Sequence, residues 1–417
     1  LLQASSGKST ADDPFQGVHA VLVIVGDISE ENPYQKSTAL QQWLLGYEFT
    51  DTLILILQDK IHFVVKEKRA DVLEKLKQGG QVQIEIHKRT KDASHNQKIF
   101  ESIISKITEG EKKRIGLLLK EKISGKFVDE WKAVYNKHEK DFEEVDIASG
   151  IAAALAVKDE DELKTMRTAS KISISMMNRF IYLVTSMIDE EKEITHEQLA
   201  EDVENILYSK EDKWLSSQKS MQDVDFERTD ICYAPIIQSG GEYDFRTSAQ
   251  SNTSLLHEGT ILFSLGVRYK SYCSNIGRTI LMNPNKDQEK TYEFLLEIQR
   301  RILEWIKDGV KICDVYTKAT RYIKTKRPDL LDKFVKNLGH GTGMVLNLFI
   351  GFTDLENPKA TDEKSKIYAL WLIDTVRVGG ESVQVLTESN RSFNSICFSF
   401  KDANESKRPA KAVETKR

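Results

Sequence analysis

Near Val157 the hydrophobic patterning of the chain changes character, and that change constrains the fold more than any single motif. Before it, apolar residues come in short runs: His19–Val25 (HAVLVIV), Leu53–Leu57 (LILIL), Ile61–Val65 (IHFVV), the alternating Val82–Ile86 (VQIEI) and Ile115–Leu119 (IGLLL). Runs of this length predict strands, and together they predict one sheet. Ala70, Val72, Leu73 and Leu76 mark a short helix between them, and Ile99, Phe100, Ile103, Ile104 and Ile107 mark another by their i, i+3, i+4 spacing. Asp59-Lys60 is too short for a helical crossover, so the runs it joins should pair as an antiparallel hairpin. The first third reads as a mixed α/β layer.

After Val157 a long helix is expected. Its acidic opening, Asp159-Glu160-Asp161-Glu162, suits the positive end of a helix dipole, and Leu163, Met166, Ser170, Ile174, Met177, Ile181 and Val184 then recur every three or four residues. Methionines in such a stripe can line a binding groove, but the spacing is that of a core-facing helix. A second helix carries Leu295, Ile298, Ile302, Trp305 and Ile306, with Gly309 as its expected C′ residue. Cys232–Gln238, Thr260–Tyr269, Arg278–Met282, Met344–Phe352 and Tyr368–Val378 read as strands of a curved sheet flanked by these helices. At 417 residues the chain exceeds what one core usually holds. The expected organisation is therefore a lobe at 1–156, a lobe at 157–400 and a polar tail at 401–417.

Charge narrows the partners. Sixty Lys and Arg stand against 64 Asp and Glu, a net charge of -4, which argues against a duplex-DNA binder built on many phosphate contacts. The four cysteines, Cys232, Cys273, Cys313 and Cys397, form no CxxC pair, so neither a zinc knuckle nor a disulfide framework is predicted and a reducing compartment is expected. No apolar run has the length of a membrane span. Leu1 in place of an initiator methionine points to a partial sequence. No G-x-S-x-G elbow, H-E-x-x-H or Walker-type loop is present, and along the sequence the eight histidines form no cluster.

Three stretches stand in a telling order: Ile261–Thr279 (ILFSLGVRYKSYCSNIGRT), Asn337–Gly343 (NLGHGTG), and the strands Met344–Gly351 and Tyr368–Val378. Together they resemble the family of methionine aminopeptidase, aminopeptidase P, prolidase and creatinase, over essentially the whole chain to Phe400. The resemblance implies a bilobed α/β (α+β) chain whose second lobe has the pita-bread fold. It also implies where two divalent cations would sit, held in active members by two aspartates, a histidine and two glutamates that activate water and polarise the scissile carbonyl. The aspartate positions of V-L-I-D-L-G and S-D-I-T-R-T, eleven residues apart, are Ser264 and Asn275 here. His340 keeps the histidine of G-H-G-x-G, Phe349 replaces the glutamate of M-V-x-x-x-E-x-G, and Ile373 replaces the glutamate before Asp374-Thr375-Val376. With every carboxylate gone, the set implies no metal, no cofactor and no peptidase chemistry. His340 then reads as a turn histidine bonded to neighbouring backbone. Active relatives also carry a connecting segment with another histidine after the G-H-G-x-G turn. Here Gly343 runs directly into Met344, which suggests a stretch missing from the sequence rather than deleted.

Lys36–Asp51 (KSTALQQWLLGYEFTD), Val157–Asp161 (VKDED), Pro235–Gly241 (PIIQSGG), Arg268–Asn275 (RYKSYCSN), Gly309–Tyr316 (GVKICDVY) and Gly351–Leu355 (GFTDL) resemble one inactive branch, the amino-terminal domains of FACT histone chaperone large subunits. That likeness implies a nuclear, chromatin-associated protein that reorganises nucleosomes in transcription, replication and repair. The partners it implies are core histones, an HMG-box subunit engaged through other domains, and replication or transcription factors.

A peptide groove can outlive its chemistry. Gln238, Ser239, Gly240, Gly241, Arg268, Tyr269, Lys270 and Tyr272 are its candidate residues, since they border the old metal positions along the strand. The plainer reading makes Gly240-Gly241 a turn and the two tyrosines core. Arg268 and Lys270 suit basic tails poorly, so an acidic patch elsewhere is an equal candidate. An active enzyme with an atypical site would carry about two ions per chain, and a pseudo-peptidase that binds RNA would show a concentrated basic face.

Overall fold

A computed structural model describes residues 13–27, 35–75, 82–109, 113–209, 213–341, 345–380, 382–389 and 391–400. The chain divides at Val157 into two compact units, each with its own sheet.

The first unit has six strands where the apolar runs predict five: β1 (Ala20–Val25), β2 (Thr52–Ile56), β3 (Lys60–Lys66), β4 (Gln83–Arg89), β5 (Arg114–Leu117) and β6 (Glu143–Asp146). Their order is β4-β3-β2-β1-β5-β6. The predicted hairpin forms, with Ile56 opposite Ile61, while β3 and β4 run parallel. Helices α1 (Lys36–Leu45), α2 (Glu67–Glu74), α3 (Ala93–Thr108), α4 (Lys126–Tyr135) and α5 (Ala148–Ala154) complete the unit. The α3 stripe is buried as read, with Ile99, Phe100, Ile103, Ile104 and Ile107 packed on Leu22, Leu55 and Val64 of the sheet. Leu76 lies outside the described residues.

The second unit opens with α6 (Glu160–Asp189), whose start is fixed by a capping box between Asp159 and Glu162. Its predicted stripe faces the core, and Phe180 stacks on Phe263 with ring centroids 3.6 Å apart. Then come α7 (His196–Tyr208), α8 (Trp214–Ser217), α9 (Lys286–Trp305), α10 (Ile312–Lys326) and α11 (Phe393–Ile396). Gly309 is not the C′ residue of α9. That helix ends at Trp305, and Gly309, at φ +77°, sits in a separate turn closed by the Val310 N–H to Lys307. Glycine suits that left-handed position.

The eight-stranded sheet runs β10 (Gly339–Gly341), β11 (Val345–Glu356), β12 (Ile367–Val378), β9 (Tyr272–Met282), β8 (Thr260–Tyr269) and β7 (Thr229–Gln238). β13 (Val383–Val385) adds to β12, and β14 (Cys397–Phe398) adds to β9. The third predicted strand therefore begins at Tyr272 rather than Arg278. Alternation along β8 splits its side chains. Ile261, Phe263, Leu265, Val267 and Tyr269 join the core that contains α6, while Leu262 belongs to the opposite face. That opposite face holds the positions of interest. No helix among the described residues is long and apolar enough to cross a membrane. The junction of Gly343 with Met344 and the tail 401–417 lie outside those residues.

Candidate functional site

The five positions expected to hold metal come together on one face of the second sheet. Ser264 pairs with Gly277 of β9, Gly277 with Ile373 of β12, Ile373 with Phe349 of β11, and His340 with Asn347. Apolar bulk fills the middle. Phe349, Trp371 and Phe245 form a triangle of rings with centroids 5.4–6.1 Å apart, closed by Leu262, Ala369 and Ile373. Ile373 lies so tightly over β9 that a Cβ on Gly277 would come within 2.6 Å of it. The two edge-to-face contacts of Phe349, with Phe245 and Trp371, add about 0.5–1.5 kcal/mol each beyond their buried area.

The polar remainder is a chain of neutral hydrogen bonds. The Tyr233 ring lies over Gly266, where a Cβ would be only 2.7 Å from it, and its hydroxyl donates to Asn275 Oδ1 at 2.6 Å, with Ser264 Oγ 3.4 Å away. Burial holds the Tyr233 hydroxyl well above the ordinary tyrosine range, so it stays protonated and donates. The Asn275 N–H donates to Thr375 Oγ1 (2.7 Å), which lies 3.2 Å from Asn347 Oδ1, and Asn347 Nδ2 lies 3.2 Å from His340 Nε2. His340 is thus on a short strand and bonded to a side chain, not a turn histidine bonded to backbone. Two dications need hard anionic oxygens to offset their charge. One exposed imidazole, a serine, an amide and two hydrocarbon side chains do not fit such a pair.

The candidate groove residues do not form one groove. β7 and β8 are antiparallel, so Gln238 lies opposite Leu262 while Arg268 lies opposite Asp230. Six residues of strand, roughly 20 Å, separate the two groups. Tyr269 is core, 5% exposed, and turns to the helix-covered face. Lys270 lies over its ring in the hairpin, and the Tyr272 hydroxyl donates to Glu162. Arg268 sits 3.8 Å from Asp230.

The other group borders a cavity of about 410 Å³ lined by His196, Gln238, Glu242, Tyr243, Asp244, Arg246, Gln250 and Asn252. Gln238 clamps this loop through both amide atoms on the Asp244 backbone. Ser239, His196 and Asn252 line up like a hydrolase triad, with Oγ–Nε2 2.7 Å and Nδ1–Oδ1 2.8 Å. Ser239 and His196 are, however, buried, and Ser239 Oγ accepts the His257 N–H. The arrangement ties loops together and exposes no nucleophile. Burial lowers the His196 pKa.

Two features escape the motif order. Arg278 and Asp374 flank the old metal positions but point to the other face, where Asp374 accepts from Arg278, Arg391, Gln299 and Thr387 at 2.7–3.0 Å. The eight histidines do cluster once: His62 and His87 stack in the first unit, ring centroids 5.5 Å apart, beside Glu85. Their sequence signal was Glu85-x-His87 on a strand paired with His62.

Residues 1–150 match a family model described as the FACT complex subunit SPT16 N-terminal lobe domain, and residues 164–361 match metallopeptidase family M24. The N-terminal domain of FACT complex subunit SPT16 from Eremothecium gossypii superposes with a TM-score of 0.82 at 32% identity, covering 92% of this chain and 94% of that one. The chain belongs to the family of SPT16 N-terminal domains. The SPT16 N-terminal domain of chickpea gives a TM-score of 0.79 at 30% identity, covering 93% of this chain and 95% of that one. FACT complex subunit ctc-2 of Neurospora crassa is 39% identical over 95% of the chain, which spans 41% of that protein. The X-Pro aminopeptidase of Thermotoga maritima, at 16% identity, a TM-score of 0.65 and coverage of 92% and 98%, shares the pita-bread fold alone. This chain thus shares its scaffold with both groups.

Proposed function

We propose that this chain is a non-catalytic, histone-engaging domain of a FACT-type histone chaperone. It would act on chromatin in the nucleus, where nucleosomes are reorganised for transcription, replication and repair. Its partners are core histones and, through regions beyond this chain, an HMG-box subunit, with replication or transcription factors as further ligands. The single observation that supports the loss of catalysis is the apolar filling at two of the four carboxylate positions, Phe349 and Ile373, which pack with Trp371 and Phe245. The purified chain should release no product from Xaa-Pro peptides in Mn²⁺, Co²⁺ or Zn²⁺ across pH 6–9. Turnover that follows added metal would overturn the reading.

Histone engagement is supported by family membership and by the polar cavity beside Gln238–Gly241, where Glu242 offers a carboxylate to a basic segment while the Asp244 carboxylate is held by Arg246. The Arg268–Tyr272 hairpin is the weaker half of the candidate groove, because its charges, Arg268 and Lys270, are basic. Pull-down of core histones against structured RNA discriminates the classes, and Glu242→Gln should weaken histone capture several-fold while Arg268→Ala leaves it unchanged. Capture of RNA but not histones rejects the chaperone reading, and the reverse response of the two variants moves the contact to the hairpin.

A further inference from the structure

The first unit contains a set of three side chains whose donor atoms converge on one point. His62 on β3 lies opposite Glu85 on the parallel edge strand β4, and His87, two residues on, shares the face of Glu85. His62 Nδ1 is 3.1 Å from Glu85 Oε2 and 3.2 Å from His87 Nε2, and His87 Nε2 is 3.9 Å from Glu85 Oε2. A single ring proton on His62 Nδ1 can satisfy one of its two neighbours, not both. A cation at the centre satisfies all three. With zinc–nitrogen and zinc–oxygen bonds of about 2.0–2.1 Å, the edges of a tetrahedron of ligands are about 3.3 Å long. The observed triangle has nearly that size before any metal draws it in.

The surroundings suit a bound ion. His62 is only 1% exposed, on the face of β3 where Val64 packs under α3, whereas His87 is 20% and Glu85 41% exposed. The site is therefore closed on one side and open to solvent on the other, which leaves a fourth position for water. Lys60 Nζ holds Glu85 Oε1 at 2.7 Å and leaves Oε2 facing the histidines, the role an outer partner plays in orienting a metal-binding carboxylate. Desolvation lowers the pKa of both imidazoles. The opposing charges are Lys60 and Lys106, which disfavour any cation here.

We propose that His62, Glu85 and His87 bind one divalent transition-metal ion, with Zn²⁺ favoured by the two-nitrogen, one-oxygen donor set, as a staple between β3 and the edge strand β4. This site is unrelated to the peptidase positions of the second unit.

The test is calorimetric titration of Zn²⁺ into the chelator-stripped chain, paired with the visible spectrum of the Co²⁺-loaded protein. The expected result is one ion per chain, Co²⁺ bands of a four-coordinate site, and at least a tenfold loss of affinity in Glu85→Gln and His87→Ala. His138→Ala, at an exposed histidine paired with Asp141, controls for surface binding and should leave affinity unchanged. The two ligand variants alter the exposed side of the set, and far-UV dichroism matching the parent confirms that they fold. Sub-stoichiometric binding, parental affinity in either ligand variant, or loss only in His138→Ala would each overturn the proposal.

Discussion

Asp374 accepts hydrogen bonds from Arg278, Arg391, Gln299 and Thr387 while fully buried, so its charge is held by two guanidiniums and two neutral donors. Removing one partner of such a set strands the others without water, at about 3–5 kcal/mol. Asp374→Ala should lower the urea midpoint accordingly, without a change in the slope of the transition. A loss under about 1 kcal/mol would mean that water or rearrangement satisfies Arg278. His196 belongs to the same scale. Burial pushes its pKa below that of a free histidine, with Lys364 acting in the same direction and the Asn252 bond opposing. The unfolded chain therefore binds the proton more readily, and stability must fall as pH drops below about 6.5. Urea midpoints at pH 7.5 and 5.0 check this, and His196→Gln, which cannot take up the proton, should flatten part of the difference. At this scale the sequence was legible where motif order set a residue's place, as for Ser264, Asn275, Phe349 and Ile373. It was silent on Asp374 and Arg278, because strand alternation, invisible in a motif, turns them to the far face. The His62–Glu85–His87 set was hidden for a related reason, since β3 and β4 are joined by register rather than by sequence spacing.

Elements were legible to the extent that burial leaves a periodic trace. The stripe from Leu163 to Val184 and the run from Thr260 to Tyr269 each bury one or both faces, and both appear where the pattern predicts. β6, by contrast, is EEVD with Val145 alone buried, and it joins the sheet through parallel backbone pairing to β5. No apolar run announces a strand held by its main chain. The sequence pattern shows β9 six residues short because Ser274, Asn275 and Gly277, small or polar residues, occupy its first half, with Ile373 over Gly277 and the Tyr233 hydroxyl bonded to Asn275. Helix starts are better marked. Asp159 accepts the Glu162 N–H and Glu162 returns to the Asp159 N–H, both at 2.8 Å. Asp159→Ala should destabilise by about 1 kcal/mol in thermal melts, and Asp159→Ser should recover most of it, an outcome that loss of an unspecific surface charge would not produce.

For the whole molecule, fold and chemistry are separate questions: a scaffold shared with the Thermotoga maritima peptidase at a TM-score of 0.65 carries serine, amide, imidazole and hydrocarbon side chains at the positions expected to hold metal. Fold alone therefore does not decide function. If the aromatic cluster has taken over from metal as the filling of this sheet face, then returning carboxylates to the old positions must have unequal costs. At Asn275 an aspartate keeps an oxygen for the Tyr233 hydroxyl to donate to, so Asn275→Asp should change stability little. At Phe349 and Ile373 a glutamate removes packing against Phe245, Trp371 and Leu262 and places charge among hydrocarbon. Each of those changes should cost roughly 2–5 kcal/mol. Melting the single variants and the Ser264→Asp/Asn275→Asp/Phe349→Glu/Ile373→Glu chain, with and without Mn²⁺, tests this. The ranking should place Phe349→Glu and Ile373→Glu far below Asn275→Asp in chelator. Manganese should raise only the fourfold variant, because only there do the charges needed to hold two dications reappear. Equal costs at all positions would show that the face is not held by its apolar filling, and the account of how the scaffold outlived its metal would fail with it.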